Sequence, residues 1–191
     1  MNHATPLPFA EQPLPAWRRA VLKVGSSLLA AEGEGLSPRH ALSLAQFVSS
    51  SIAAGREVVI VSSGAVAAGR GLLNRKPRAG AAMAERQALA ALGQARLIAL
   101  WQRFFDRPVA QVLLTHDDLR NRRRYLNARA TLQELLALGA LPVINENDTV
   151  SVDELKLGDN DNLAAVVAAL VDAGALCIAP PLDGFYTADP P

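Results

Sequence analysis

Short apolar runs rich in β-branched residues alternate along this chain with longer amphipathic stretches, and that alternation constrains the fold more than any other feature. The clearest run is Glu57-Val58-Val59-Ile60-Val61, with the composition of a strand buried on both faces. Ala20-Val21-Leu22-Lys23-Val24, Val109 to Leu114, Leu141-Pro142-Val143-Ile144 and Ala175 to Ala179 read as further strands. Helical stretches lie between them. The first opens at Ser37-Pro38, a serine N-cap with proline at the first helical position. It carries Leu42, Leu44, Phe47, Val48 and Ile52 and stops at Gly55. Ala65–Gly69 begins another, and Ala81 to Phe105 is a third with Gly93 as a candidate interruption. Arg123 to Leu138 is closed by Gly139, and Leu163 to Val171 by Gly174. This order predicts right-handed βαβ crossovers and an α/β fold, with a parallel open sheet covered on both faces.

A chain of 191 residues suits about one domain and can bury roughly 70% of its unfolded surface, so neither disulfides nor a structural metal is required. The single cysteine, Cys177, excludes an intramolecular disulfide, and its apolar neighbours predict a buried, unreactive thiol. Nineteen basic residues against eighteen acidic ones remove bulk charge as an argument for nucleic acid or an anionic membrane. No apolar run approaches the ~20 residues of a spanning helix. The start, broken by Pro6, Pro8, Pro13 and Pro15, lacks the apolar block of a secretory signal. The expectation is a poorly ordered leader over 1–19 and one cytoplasmic domain over 20–191. Arg120, Arg122, Arg123 and Arg124 read as a solvated or subunit-contact face rather than a nucleic-acid site. His3, His40 and His116 have no ligand or triad spacing.

In an open parallel sheet, ligands bind beyond the carboxyl ends of the strands, so the loops after strands carry the functional argument. After the first strand comes Lys23-Val24-Gly25-Ser26-Ser27. A lysine ending an apolar strand is costly unless it meets an anion, and the glycine and serines that follow suit a phosphate. For this position taken alone, a lysine snorkelling from the strand end to solvent is the favoured reading. After the second strand, Ser62-Ser63-Gly64-Ala65 leads into a helix whose first amides can receive a carboxylate or phosphate. A serine N-cap beside a permissive glycine is the bland alternative. Neither a dinucleotide fingerprint nor a P-loop is present. The densest polar segment follows the fourth strand. Asn145-Glu146-Asn147-Asp148-Thr149 and Gly158-Asp159-Asn160-Asp161-Asn162 suit an amino-acid substrate, carboxylates facing its ammonium and amides its carboxylates. An EF-hand is excluded by spacing, and a solvated turn with Asx motifs accounts for the composition alone.

Taken together, Lys23 to Ser27, Ser62 to Ala65, Asn145 to Asp148, Lys156-Leu157-Gly158-Asp159-Asn160-Asp161-Asn162-Leu163 and Gly184-Phe185-Tyr186-Thr187-Ala188-Asp189-Pro190 resemble the glutamate 5-kinase (γ-glutamyl kinase) family of the amino-acid kinase superfamily. The resemblance runs in order over nearly everything from Ala20 to Pro190. It implies an αβα sandwich that moves the γ-phosphoryl of ATP, with Mg²⁺, onto the side-chain carboxylate of L-glutamate, opening proline biosynthesis. It places Lys23 on the transferring phosphoryl group, with Gly25 and Ser26 beside the ATP. Ser63, Gly64, Asp148 and Asn160 would hold glutamate, and Asp161 would organise the catalytic cations, fixing Lys23 by an ion pair. No dedicated metal ligands are assigned. A homo-oligomer and feedback inhibition by proline are further implications, with no role for nucleic acid or membrane.

Two features depart from the family pattern. Pro180-Pro181 stands where relatives carry Thr-Asp, and proline offers neither an amide N–H nor a polar side chain to a nucleotide. The sequence also stops at Pro191, where relatives continue through a further nucleotide-binding stretch, so it reads as the glutamate-binding portion of such a domain. Acetylglutamate or aspartate kinases, and a catalytically silent glutamate- or proline-binding regulatory module, remain alternatives.

Overall fold

The computed structural model describes residues 15–30, 36–74, 82–150 and 159–179. In chain order the elements are β1 (Arg19–Val24), α1 (Ser26–Leu29), α2 (Pro38–Ala53), β2 (Glu57–Ser62), α3 (Ala65–Leu72), α4 (Met83–Gln102), β3 (Val109–Leu114), α5 (His116–Arg120), α6 (Arg122–Ala137), β4 (Leu141–Glu146), α7 (Asp159–Leu170) and β5 (Ala175–Ala179). The strands form one sheet in the order β3-β4-β2-β1-β5, with every pairing parallel. The α/β class and all five strands agree with the sequence reading. Most of the expected leader lies outside the described residues. Its last residues do not: Arg19 opens β1, and Trp17 packs against Phe47 and under the Arg56 guanidinium.

The pleat of the strands builds two cores. Leu22, Val24, Val58, Ile60, Leu141 and Val143 face one layer with Ala41, Val48, Leu97 and Trp101 from α2 and α4. Val21, Val59, Val61 and Ile144 face the other layer with Leu132 of α6 and Leu163, Val167 and Leu170 of α7. Connections through α2 and through α3–α4 therefore cross one face, and those through α6 and α7 cross the other. The first pair steps toward β3 and the second toward β5, as a common crossover hand requires. Layer assignment switches between the neighbours β2 and β4, which opens a crevice at their carboxyl ends.

Several local expectations change. Gly93 does not interrupt α4, which runs unbroken to Gln102. A Cβ built on Gly93 would stand 1.8 Å from the Ala65 carbonyl oxygen, and one on Gly69 would stand 2.0 Å from that of Leu89. These glycines let α3 and α4 touch backbone to backbone. Two short helices, α1 and α5, add to the expected set. The second is fixed by a capping box: Thr115 Oγ1 accepts from the Asp118 amide, and Asp118 Oδ2 accepts from the Thr115 amide at 2.8 Å. Cys177, on β5, the edge strand among the described residues, is only half-buried. Its free thiol is nevertheless pushed above its usual range by desolvation, which keeps it protonated and poorly nucleophilic.

Candidate active site

The site is built at the carboxyl ends of β1, β2 and β4, closed from above by the first turn of α7. Alternation along β1 sends Leu22 and Val24 to the α2–α4 layer and Lys23 toward α7. There Lys23, only 4% exposed, brings Nζ within 2.6 Å of Asp161 Oδ1. The snorkelling alternative is thereby overturned: this ammonium is buried and charge-paired. The contact is electrostatic rather than an aligned hydrogen bond, since Oδ1 is buried without a hydrogen-bond partner while the Asp161 side chain as a whole is 44% exposed. Gly25 follows at φ −73° and ψ 156°, open to any residue. A Cβ there would lie 3.6 Å from Lys23 Nζ, so what the glycine preserves is open approach to the ammonium. Ser26 opens α1 and is exposed, as is Ser27.

β2 ends in two serines with different tasks. Ser62 is fully buried, and its Oγ accepts from Trp101 Nε1 at 3.0 Å, locking the strand end to α4. The Ser63 amide donates to the Val24 carbonyl at 3.0 Å, tying the ends of β1 and β2 together. Ser63 Oγ is free of helix capping and accepts from Asn160 Nδ2 at 2.6 Å. The N-cap of α3 is Gly64, at φ +114°, with no side-chain cap hydrogen bond. The serine-cap alternative is corrected accordingly: left-handed backbone demands the glycine, and the first α3 amides are left for another acceptor.

Asn160 Nδ2 also donates to Asn145 Oδ1 at 3.1 Å, bridging the crevice between β2 and β4. Asn145 is 4% exposed, and its own Nδ2 is buried without a hydrogen-bond partner. An orphaned donor of this kind costs about 1–3 kcal/mol unless a ligand takes it. In sequence Asn145 belongs to the polar cluster after the fourth strand, but no local signal marks it as a site residue. Asp148 is half-buried in the turn that leaves β4, which is held by the Asn147 amide on the Leu114 carbonyl and Thr149 Oγ1 on Asn147 Oδ1. Lys23, Ser63, Asn160 and Asp161 thus meet through direct contacts, Gly25, Ser26 and Gly64 flank them, and Asp148 shares the same sheet edge. Lys156, Gly158, Pro180-Pro181 and the Gly184–Pro190 segment lie outside the described residues. Elsewhere, Arg120, Arg122 and Arg123 are exposed and Arg124 pairs with Asp118 at 3.1 Å, in keeping with a solvated face.

Residues 18–191 match the amino acid kinase family. The chain belongs to that family. Among its relatives are proteins named glutamate 5-kinase. The one from Xylella fastidiosa (strain M12) is 79% identical over 97% of this chain and 48% of its own length. That from Xanthomonas campestris pv. campestris (strain 8004) is 83% identical over 89% of this chain and 47% of its own. That from Xanthomonas oryzae pv. oryzae is 81% identical over 89% and 47%. The chain spans about half the length of the curated relatives it matches. Among the described residues of this member of the amino acid kinase family, no helix is long and apolar enough to cross a membrane.

Proposed function

We propose that this chain supplies the glutamate-binding part of a glutamate 5-kinase, which moves the γ-phosphoryl of ATP to the side-chain carboxylate of L-glutamate and yields L-glutamyl 5-phosphate for proline biosynthesis. The observation that carries this reading is the junction at the start of α7. Asn160 engages Ser63 and Asn145, while the next residue, Asp161, engages the buried ammonium of Lys23. Neutral amides and a hydroxyl sit one residue away from a positioned cation, the arrangement needed to bring a carboxylate to a phosphoryl group.

The chemistry asks little covalent work of the protein. A carboxylate is already nucleophilic at neutral pH, so no general base is needed, and catalysis rests on positioning and on offsetting anion–anion repulsion. Ser63, the Asn145 amide and the uncapped α3 amides beside Gly64 would receive the substrate's carboxylates, and Asp148 its ammonium. Lys23 would neutralise the transferring phosphoryl group, with Gly25 and Ser26 alongside the nucleotide. Asp161 positions Lys23. Among the described residues no group of three or more acidic, histidine or cysteine side chains could cage a metal ion. Mg²⁺ is usually held by one or two carboxylates plus substrate phosphates, and Asp161, beside Lys23, is the carboxylate that would hold it here. When bound, the ion would supply further charge neutralisation. Proline would compete with glutamate for the same cradle, in a cytoplasmic homo-oligomer.

Calorimetric titration of the protein with glutamate and a non-hydrolysable ATP analogue, followed by glutamate-dependent ADP release, tests the proposal. For the full-length protein that carries this chain, binding of both ligands with turnover is the expected result. Binding of glutamate alone, without ADP release, would mark a regulatory binding module instead.

A further inference from the structure

On the face of the α3–α4 pair lies a second concavity, of about 340 Å³, at the small end of the range for metabolite pockets. Leu36, Ala68, Leu72 and Leu100 give it an apolar lining, and Arg96 and Arg103 contribute two guanidinium groups from α4. Among the described residues, no carboxylate lines it. Neither arginine forms an ion pair among the described residues, whereas Arg19, Arg124 and Arg129 all do. Arg96 lies in the second half of α4 and Arg103 is its C-cap residue, still in right-handed helical backbone; seven residues apart, their Cα atoms are separated by about 10.5 Å along the axis and stay on one face. Leu100 lies between them, so the pocket presents a cation, an apolar stretch and a second cation in line.

We infer that this concavity binds a small elongated dianion, an aliphatic body with a carboxylate at each end. Each guanidinium takes one carboxylate in a charge-assisted, bidentate contact, and the apolar side chains cover the methylenes between them. A single small anion would satisfy one arginine and leave the apolar lining wet. An apolar ligand would leave both cations unused. Nothing in this site depends on the reaction proposed above, and it shares no residue with the Lys23 and Ser63 cluster. Trp101, next to Leu100 and hydrogen-bonded to Ser62, is a natural reporter of its occupancy.

The test follows the indole N–H resonance of Trp101 and the heat of binding as suberate, succinate or octanoate is titrated in, without glutamate or ATP. Suberate is expected to bind about tenfold or more tightly than either the shorter diacid or the monoacid. The double substitution Arg96→Gln/Arg103→Gln removes that preference with unfolding temperature unchanged, because both side chains are exposed. Undiminished suberate binding by the double variant would overturn the assignment. So would a wild-type protein that binds none of the three probes. A double variant that changes its sedimentation mass, with probe binding intact, would overturn it too and identify the face as a subunit contact.

Discussion

Lys23 and Asp161 lie 138 residues apart in sequence yet hold Nζ and Oδ1 at 2.6 Å, a buried cation at the end of β1 matched by a half-exposed anion at the start of α7. In the proposed reaction the buried ammonium is the fixed partner and the more accessible carboxylate the one that can give way to a phosphate. Replacing Lys23 with methionine keeps the apolar stem packed and removes only the charge. We expect kcat to fall by about 10²–10³ with the KM for glutamate little changed, the pattern of an interaction made in the transition state. Steady-state kinetics check this, and equal turnover in variant and parent refutes the role.

Asn160 should behave in the opposite way. Its Nδ2 serves both Ser63 Oγ and Asn145 Oδ1, so Asn160→Ala removes the bridge across the β2–β4 crevice. Glutamate affinity is expected to drop by about 1–3 kcal/mol, with nucleotide binding nearly intact. Calorimetry with each ligand separately distinguishes this from general unfolding.

Alanine is normally the better helix residue, by about 1 kcal/mol over glycine. At Gly93 the sign should reverse, since the added Cβ would collide with the Ala65 carbonyl at 1.8 Å. Gly93→Ala is expected to destabilise by about 3 kcal/mol, the upper part of the overpacking range. Urea unfolding measures it. Because Ala65 is the first residue of α3, directly after Gly64, the same variant should weaken glutamate binding.

The α5 capping box carries a pH dependence. Burial alone would raise the Asp118 pKa, but hydrogen bonds from Thr115 and the charge and hydrogen bond of Arg124 together bring it below its ordinary 3.8. The unfolded chain therefore binds more protons here than the native one, so Asp118 stabilises fully above that ordinary value and loses its contribution as pH falls through the depressed native pKa. Asp118→Asn should cost about 1 kcal/mol at neutral pH, and denaturation curves of variant and parent should converge in acid.

Much of this arrangement was legible beforehand, for identifiable reasons. The five strands announce themselves because apolar β-branched runs bounded by glycine and serine have few other uses. The pairing of Lys23 with Asp161, and of Ser63 with Asn160, was accessible only through the resemblance, since no local pattern joins residues so distant. Where local signals stood alone they misled. Gly93 looked like a helix break because the crossing partner, α3, is invisible in sequence. Ser63 looked like a cap because serine before a helix so often is one, yet the positive φ at Gly64 gives that position to the glycine. The box at Thr115 and Asp118 was present as spacing but too short to register as a helix. Strand order was not readable, because it depends on which face each connection crosses.

One property of α7 outlasts any single contact. Asn160 and Asp161 project from adjacent positions, about 100° apart around the axis, so each reaches a different strand end from one rigid rod. A small roll of that rod slackens one attachment while straining the other. A movement of α7 as a whole would therefore shift both attachments together, whereas replacing a single side chain releases only its own.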